Sequence, residues 1–402
     1  MPDPLLEPPA ADRDDASPSG EAGVPAAPRR PAAGPPRARR GAGPGSAAPQ
    51  GPPHTRASDP PIAGEAAAEP TAPSRSRASR PRASEGPVGP LPRRPRVARE
   101  DVLILSRKRG LYSTRRLVEV ARARGRRVRV IDALRCTVLI APGGLELLHE
   151  GRVVREATVV IPRIGASITR QGLAVLHQLE LMDIPVLNAP PSIARSRDKL
   201  LAMQLLARAG LDVPRTAMAH PGVEVESLVA AVGGLPVVVK LLKGTQGVGV
   251  MLASSMEEVR SYLGTFHELG EDVVLQEFVA ESAGRDVRAL VVGDRVVAAM
   301  RRRAGGGEFR SNLHRGGSGE GLTLAPAWEA LALRAARAVG LEVAGVDLLE
   351  GRGGPRVMEL NSSPGLEGIE SSTGVDVAAA IIDHALAFAQ RVRLAAAPPP
   401  GA

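Results

Sequence analysis

V-M-E-L-N-S-S-P-G, Val357 to Gly365, is an apolar run with two oxygen-bearing side chains that stops at a proline and a glycine. Side chains alternate along a strand, so Glu359 and Asn361 share one face. Twelve residues before Glu359, G-V-D-L-L supplies Asp347 from a neighbouring apolar strand. Two carboxylates and an amide oxygen on adjacent strands form the donor set of a hard divalent cation that also holds a nucleotide's phosphates. The stretch therefore predicts a magnesium-nucleotide site built on a sheet.

Working back towards the N terminus, the other parts of such a site appear in order. P-V-V-V-K-L-L, Pro236 to Leu242, is a strand interrupted by Lys240, a charge that burial makes costly unless it meets a fixed anion. K-G-T-Q-G-V-G-V follows, in which Gly244, Gly247 and Gly249 let backbone amides approach phosphate oxygens and Thr245 and Gln246 add donors. The spacing differs from the Walker pattern, and no helix opens after it, so it reads as a strand-loop-strand flap. Val273 to Val279 is a hinge strand whose end carries Glu277 and Phe278, suited to an adenine edge and its apolar pocket.

Asp286 to Gly293 and Arg295 to Arg303 read as a hairpin, followed by F-R-S-N-L-H-R-G-G from Phe309 to Gly317. A charge run of this kind is often only a solvated loop. Here, guanidinium forks beside glycines, next to the metal strands, suit a carboxylate or an acyl phosphate. Pro326 to Val339 is an amphipathic helix with Leu331, Ala335 and Val339 on one face, and a last helix runs from Val375 to Val392.

Ahead of these elements, Asp101 to Ser106, Ser113 to Arg124, Arg127 to Asp132 and Val159 to Ile161 read as strand, helix, strand and strand. They form a small parallel α/β unit without a dinucleotide fingerprint. P-R-I-G, Pro162 to Gly165, closes the last strand where such sheets bind ligands, so Arg163 either faces a substrate carboxylate or is a surface turn residue. One long helix is expected from Pro191 to Gly210, with Leu201, Leu205 and Leu206 on its core face and Lys199 near its start.

The first hundred residues differ in kind: they hold 23 of the 37 prolines in the 402-residue chain and few branched aliphatics. Such a segment cannot offset chain entropy by burial, so it reads as a disordered extension. It carries 15 Arg against 11 acids, leaving about +5 of the net +9 for the remainder, too little to demand nucleic acid. RNA contact by its arginine clusters is only weakly suggested, since stacking aromatics are missing. Asp12, Asp14 and Asp15 argue against a transit peptide, and no apolar run marks a secretory signal or membrane span. A translation start beyond this segment is the other reading. The single cysteine, Cys136, lies in R-C-T-V-L-I and is expected to be a buried structural thiol in a soluble, cytoplasmic protein.

The order D-K-L, V-V-V-K, G-T-Q-G-V-G-V, L-Q-E-F, D-V-R, F-R-S-N-L-H-R-G-G, G-V-D and M-E-L-N-S-S-P-G closely resembles the ATP-grasp ligases, and among them the RimK type, from about Asp101 to Ala389. The resemblance implies an α/β and α+β chain: an ATP-grasp fold preceded by a small parallel pre-ATP-grasp domain. Its parts are an extension (1–100), the pre-ATP-grasp domain (101–189), an N-terminal lobe with the flap (190–285), a C-terminal lobe with the metal site (286–392) and a tail (393–402). It further implies that Lys199, Lys240, Gly244, Thr245, Gln246, Gly247 and Gly249 bind ATP phosphates, with Glu277 and Phe278 at the adenine and Asp286 near the ribose. Arg310, Ser311 and Asn312 then lie at the nucleotide, with Arg310 and Lys240 catalytic. Asp347, Glu359 and Asn361 hold magnesium, as two ions, or manganese. Arg163, Arg302, His314 and Arg315 are the substrate candidates. The implied activity is ATP-dependent addition of glutamate to the acidic C terminus of ribosomal protein S six, or poly-glutamate synthesis, through an acyl phosphate, by a homo-oligomer. The same chemistry on a cofactor or amino-group carrier protein is the alternative, and a non-catalytic nucleotide-responsive binder a further one. The sequence leaves the acceptor open.

Overall fold

The computed structural model describes residues 101–242, 249–305 and 317–396. Within them β1 (Asp101–Ser106) is the middle strand of a parallel three-stranded sheet, flanked by β2 (Arg127–Ile131) and β6 (Val159–Arg163). A parallel strand covered on both faces must be apolar at every position, and V-L-I-L is. Val102 and Ile104 meet α1 (Tyr112–Ala123) and α9 (Val377–Ala396), whereas Leu103 and Leu105 meet α2 (Thr169–Leu181). The expected parallel unit is therefore present.

An antiparallel meander that the sequence reading did not find separates β2 from β6: β3 (Cys136–Ala141), β4 (Gly144–His149) and β5 (Arg152–Val154). Cys136 opens β3 and is half-buried, a correction to the expected burial. Its thiol donates to the Asp132 carbonyl at 3.3 Å, and burial, then the Asp132 charge, pushes it up to about 11, so it stays protonated.

The expected long helix is two, α3 (Pro190–Arg197) and α4 (Lys199–Arg208). Asp198 divides them: its backbone leaves the helical region at ψ 98° and its carboxylate caps α4 by accepting from Leu201 N at 2.9 Å. The break rotates the second helix, so Ala202 and Leu206 are buried while Leu201 is exposed, contrary to the single-helix reading.

Two further sheets follow. β7 (Thr216–Ala219), β8 (Val237–Leu241), β9 (Val250–Ala253) and β10 (Val273–Glu277) form one, in the order β7-β10-β8-β9, backed by α5 (Val225–Ala231) and α6 (Met256–Glu268). Gly249 enters β9 at φ +72°, and an added Cβ would lie 2.4 Å from Leu241 Cδ1, so this turn requires glycine.

The largest sheet runs β13-β12-β11-β14-β15: β11 (Arg285–Val292), β12 (Arg295–Arg303), β13 (Ser318–Gly321), β14 (Val343–Gly351) and β15 (Gly354–Asn361). One face packs on α7 (Pro326–Val339) through Leu331, Ala335 and Val339, as expected. The other packs on α9 and, just after β15, on α8 (Glu367–Thr373). Because α9 also packs on α1, one apolar core joins the parallel sheet to the largest one. No single described helix is long and apolar enough to cross a membrane.

Asn188 ties these parts together. Its Nδ2 donates to the carbonyls of Val343 (2.7 Å) and Ser362 (3.0 Å), and its Oδ1 accepts from the amides of Glu342 and Val343, each at 2.8 Å. Asn188→Ala strands several buried backbone groups at once and should lower unfolding free energy by about 3 kcal/mol. Urea denaturation read by far-ultraviolet circular dichroism checks it; an unchanged midpoint excludes the role.

Candidate active site

A cavity of about 1210 Å³ opens where the three sheets converge. Its walls are β8 and β10 on one side, the largest sheet on another, and the end of β6 with α3 and α4 on a third.

The largest sheet presents a row of charge generated by its register. Asp286 stands directly opposite Arg302, Arg288 opposite Asp347, and Asp347 opposite Glu359. Cross-strand partners share a face, so all five point to the same side. Arg302 makes a bidentate bond to Asp286 (Nε to Oδ1 2.6 Å, Nη2 to Oδ2 2.7 Å) and reaches Asp347 Oδ2 at 2.9 Å. Arg288 holds Asp347 in the same bidentate manner, at 2.7 and 2.6 Å. Asp286, Arg302 and Asp347 are all buried.

Burial would push the Asp347 carboxyl up; the guanidiniums of Arg288 and Arg302 overcome this and hold it below the usual carboxylate range. Arg302 is disfavoured by burial, yet Asp347 and Asp286 raise it overall. Between Asp347 and Leu348 the register shifts, because β15 carries an extra residue there, Met358, next to Glu359.

Glu359 and Asn361 differ from Asp347. Both line the cavity, half-buried, and neither side chain has a hydrogen-bond partner among the described residues. Asn361 stands opposite Gly345, where an added Cβ would meet Pro364 Cβ at 3.0 Å, so glycine lets the loop after β15 fold over β14. No group of three His, Cys, Asp or Glu converges among the described residues. The available oxygens of Glu359 and Asn361, with Asp347 adjoining, fit a hard cation whose coordination phosphate oxygens complete.

Across the cavity, Lys240 lies inside β8 and donates to Gln276 Oε1 at 2.5 Å. Gln276 Nε2 donates in turn to Thr216 Oγ1 at 2.8 Å, which fixes the amide's orientation. The expected fixed anion is thus absent among the described residues, and the partner is a neutral amide. Burial lowers Lys240 to about 8; Glu359 acts to raise it and Lys199 to lower it. Lys199, at the first turn of α4, donates to the Leu241 carbonyl at 3.2 Å.

Glu277 caps β10, accepting from Arg356 Nη1 at 2.7 Å and from the Arg215 amide at 3.1 Å. Phe278 next to it lines the cavity. Arg163 is on the third wall, bonded to the Pro364 carbonyl at 2.7 Å. Gly244, Thr245, Gln246 and Gly247, and Arg310, Ser311, Asn312, His314 and Arg315, lie outside the described residues.

The sequence reading missed Arg288 and Arg197 as site residues. For Arg288 the signal was there, since D-V-R sets it two residues from Asp286 and so on the same strand face. Arg197 was hidden inside the supposed continuous helix.

The model of the RimK pre-ATP-grasp domain matches residues 101–193, and that of the RimK-like ATP-grasp domain matches 196–385. A protein of Chromohalobacter salexigens named "Probable alpha-L-glutamate ligase" is 49% identical over 298 residues, 74% of this chain and 99% of that protein. This chain belongs to the RimK family of ATP-grasp ligases. It is an ATP-dependent ligase. A RimK-family relative from Aeromonas salmonicida with the same name is 51% identical over 282 residues, covering 70% of this chain and 95% of that one. Among solved structures, the RimK domain protein of Sphaerobacter thermophilus aligns with TM-score 0.54 at 24% identity, over 71% of this chain and 99% of that one. The ATP-grasp ligase PsnB with a minimal precursor, Mg and ADP aligns with TM-score 0.55 at 24% identity, over 72% and 98%. These two likenesses establish the ATP-grasp fold of this RimK-family chain.

The charge network carries its own pH signature. A carboxyl depressed in the folded state contributes stability above its unfolded value, which is lost as pH falls through the folded value. Unfolding free energy should therefore drop on acidification below about pH 4, the usual carboxylate value, and Asp347→Asn should flatten that drop. Urea titrations across that range measure both slopes; equal slopes would refute the assignment.

Proposed function

We propose that this ligase joins the amine of L-glutamate to a carboxylate at the C terminus of an acidic protein or peptide, with ribosomal protein S six as the acceptor implied by the family. The observation that carries the reading is Lys240, half-buried in β8 and bonded, among the described residues, only to a neutral amide, across the cavity from oxygens of Glu359 and Asn361 that have no partner there either. A nucleotide's phosphates complete both sides, being anions for the lysine and additional ligands for a cation. The names of the curated relatives supply glutamate.

A carboxylate is a poor electrophile, so its oxygen first attacks the γ-phosphorus of ATP. The bond from that phosphorus to the bridging oxygen breaks, and ADP leaves with the electron pair. The amine nitrogen then attacks the acyl phosphate carbon, phosphate departs, and the amine gives up a proton, leaving an amide. Lys240 and Lys199 donate to phosphate oxygens throughout. Glu359 and Asn361, with Asp347, would hold the divalent cation, whose chemistry when bound is to neutralise charge across the phosphates.

Glu277, occupied by Arg356, offers the nucleotide base the backbone at the end of β10, and Phe278 gives it an apolar wall. Asp286 has both oxygens on Arg302, so its part is to hold that guanidinium rigid behind Asp347. The flap residues Gly244 to Gly247 and Gly249, with Arg310, Ser311 and Asn312, keep the nucleotide roles that the resemblance gives them, and His314 and Arg315 their place among the substrate candidates, whereas Arg302, buried and paired with Asp286 and Asp347, passes from that group to the framework. Residues 101–189, 190–285 and 286–392 are the corresponding domains.

Purified protein with ATP, Mg2+, glutamate and ribosomal protein should release ADP and yield an acceptor mass ladder in glutamate steps. Absence of a ladder on every glutamate-ended acceptor would sink the acceptor claim and leave the fold untouched. Because Lys240 must be protonated to meet phosphate, ATP affinity should fall as pH rises through about 8. Lys240→Gln should bind ATP about 10- to 100-fold more weakly and lose this pH dependence. Calorimetric titration with ATP measures both.

A further inference from the structure

Arg163 and Arg197 share the cavity wall where the carboxyl end of β6 meets α3. Arg163 Nη2 donates to the Pro364 carbonyl, and Arg197 Nη2 to the carbonyl of Ile164, the residue after Arg163, both at 2.7 Å. Neither guanidinium has a carboxylate within ion-pair distance among the described residues, whereas Arg288, Arg302 and Arg356 each do.

The wall also has unused hydrogen-bonding capacity. Among the described residues, Arg197 Nε is buried without a partner, and so is the hydroxyl of Ser362, which is 4% exposed and lines the same cavity. Burial, then the neighbouring Arg197 charge, lowers Arg163 to about 10; burial lowers Arg197 as well, with Glu359 opposing. Two adjacent, half-buried cations without an anion among the described residues are a cost to the folded state. Buried polar atoms without partners in a native protein call for a ligand or a water. A carboxylate supplies what is missing, since guanidinium forks match its two oxygens and stay charged under partial burial.

We propose that Arg163 and Arg197 form a clamp for the free α-carboxylate of the amino acid whose amine attacks the activated acceptor. The assignment rests on the ligase reading above. The acceptor carboxylate must use its own oxygen as a nucleophile on phosphorus, and two guanidiniums would withdraw electron density from it. The donor's α-carboxylate passes through the reaction unchanged, so permanent cations suit it. Glu359, Lys240 and Arg197 line the same cavity, and the Glu359 charge acts on both cations. An amino acid held by its α-carboxylate at the arginines carries its amine one carbon away, within the same cavity as those oxygens.

The test is calorimetric titration of the full chain with L-glutamate, in the presence of Mg2+ and a non-hydrolysable ATP analogue, together with steady-state ADP release on a glutamate-ended peptide. Arg197→Gln should weaken glutamate binding and raise its KM by about tenfold or more, while KM for ATP and for the peptide stays within about twofold. Its Tm should equal or exceed the wild-type value, because an uncompensated charge has been removed. Wild-type protein should prefer glutamate over its α-amide by about tenfold or more, and R197Q should lose that preference. Arg197→Lys, which keeps charge without the fork, should restore part of the affinity.

Unchanged glutamate affinity in R197Q overturns the clamp, as does a loss confined to the peptide, which would give the pair to the acceptor. Calorimetry does not depend on turnover. Glutamate bound through Arg197 without ADP release would refute the proposed transfer to that acceptor and leave the clamp standing.

Discussion

The buried chain Arg302–Asp286, Arg302–Asp347 and Arg288–Asp347 is the constraint on which the site depends. Carboxylates at this depth are tolerable only with guanidiniums at hydrogen-bond distance. The partners sit on three adjacent strands, so the network forms in one register alone. A slip of one residue would turn each member towards the apolar face packed on α7. Fixing that register also fixes Glu359 opposite Asp347, and two residues on, Asn361. A device that holds the sheet together thereby aims the free oxygens into the cavity.

The cations around the cavity fall into two groups. Arg288, Arg302 and Arg356 are satisfied by carboxylates of this chain and act as framework. Lys199, Lys240, Arg163 and Arg197 bond only to neutral oxygens among the described residues, leaving their charge available to something that arrives. Such preorganisation lets an anion bind without first breaking internal ion pairs, and it is held in place by backbone carbonyls and an oriented amide. The folded protein tolerates the cost because its cores lie elsewhere, against α7, α9, α2 and α6.

Those cores also explain why one cavity draws walls from three sheets. Helix α9 is apolar enough to pack on both α1 and the largest sheet, so the parallel unit is not free to drift from the metal strands. Asn188 adds direction to that adhesion, since its four hydrogen bonds are met in one arrangement only. The end of β6, carrying Arg163, is thereby held against the Pro364 loop that follows β15.

What the sequence by itself determined is local. Strand alternation placed Glu359 and Asn361 on one face, the apolar run in D-V-L-I-L-S opened a small parallel unit, and the order of motifs was enough to identify the family. Lys240 was legible because a charge in an apolar strand is rare. What only the tertiary structure decided is who meets whom. That Lys240 finds Gln276 instead of an anion, that Asp198 breaks a helix and brings out Arg197, and that Asp347 shares two arginines all depend on strand register and packing between segments far apart in the chain. The physical reason is that periodicity assigns a side chain to a face, whereas its partner and its protonation follow from desolvation and distance, which exist only once the sheets converge.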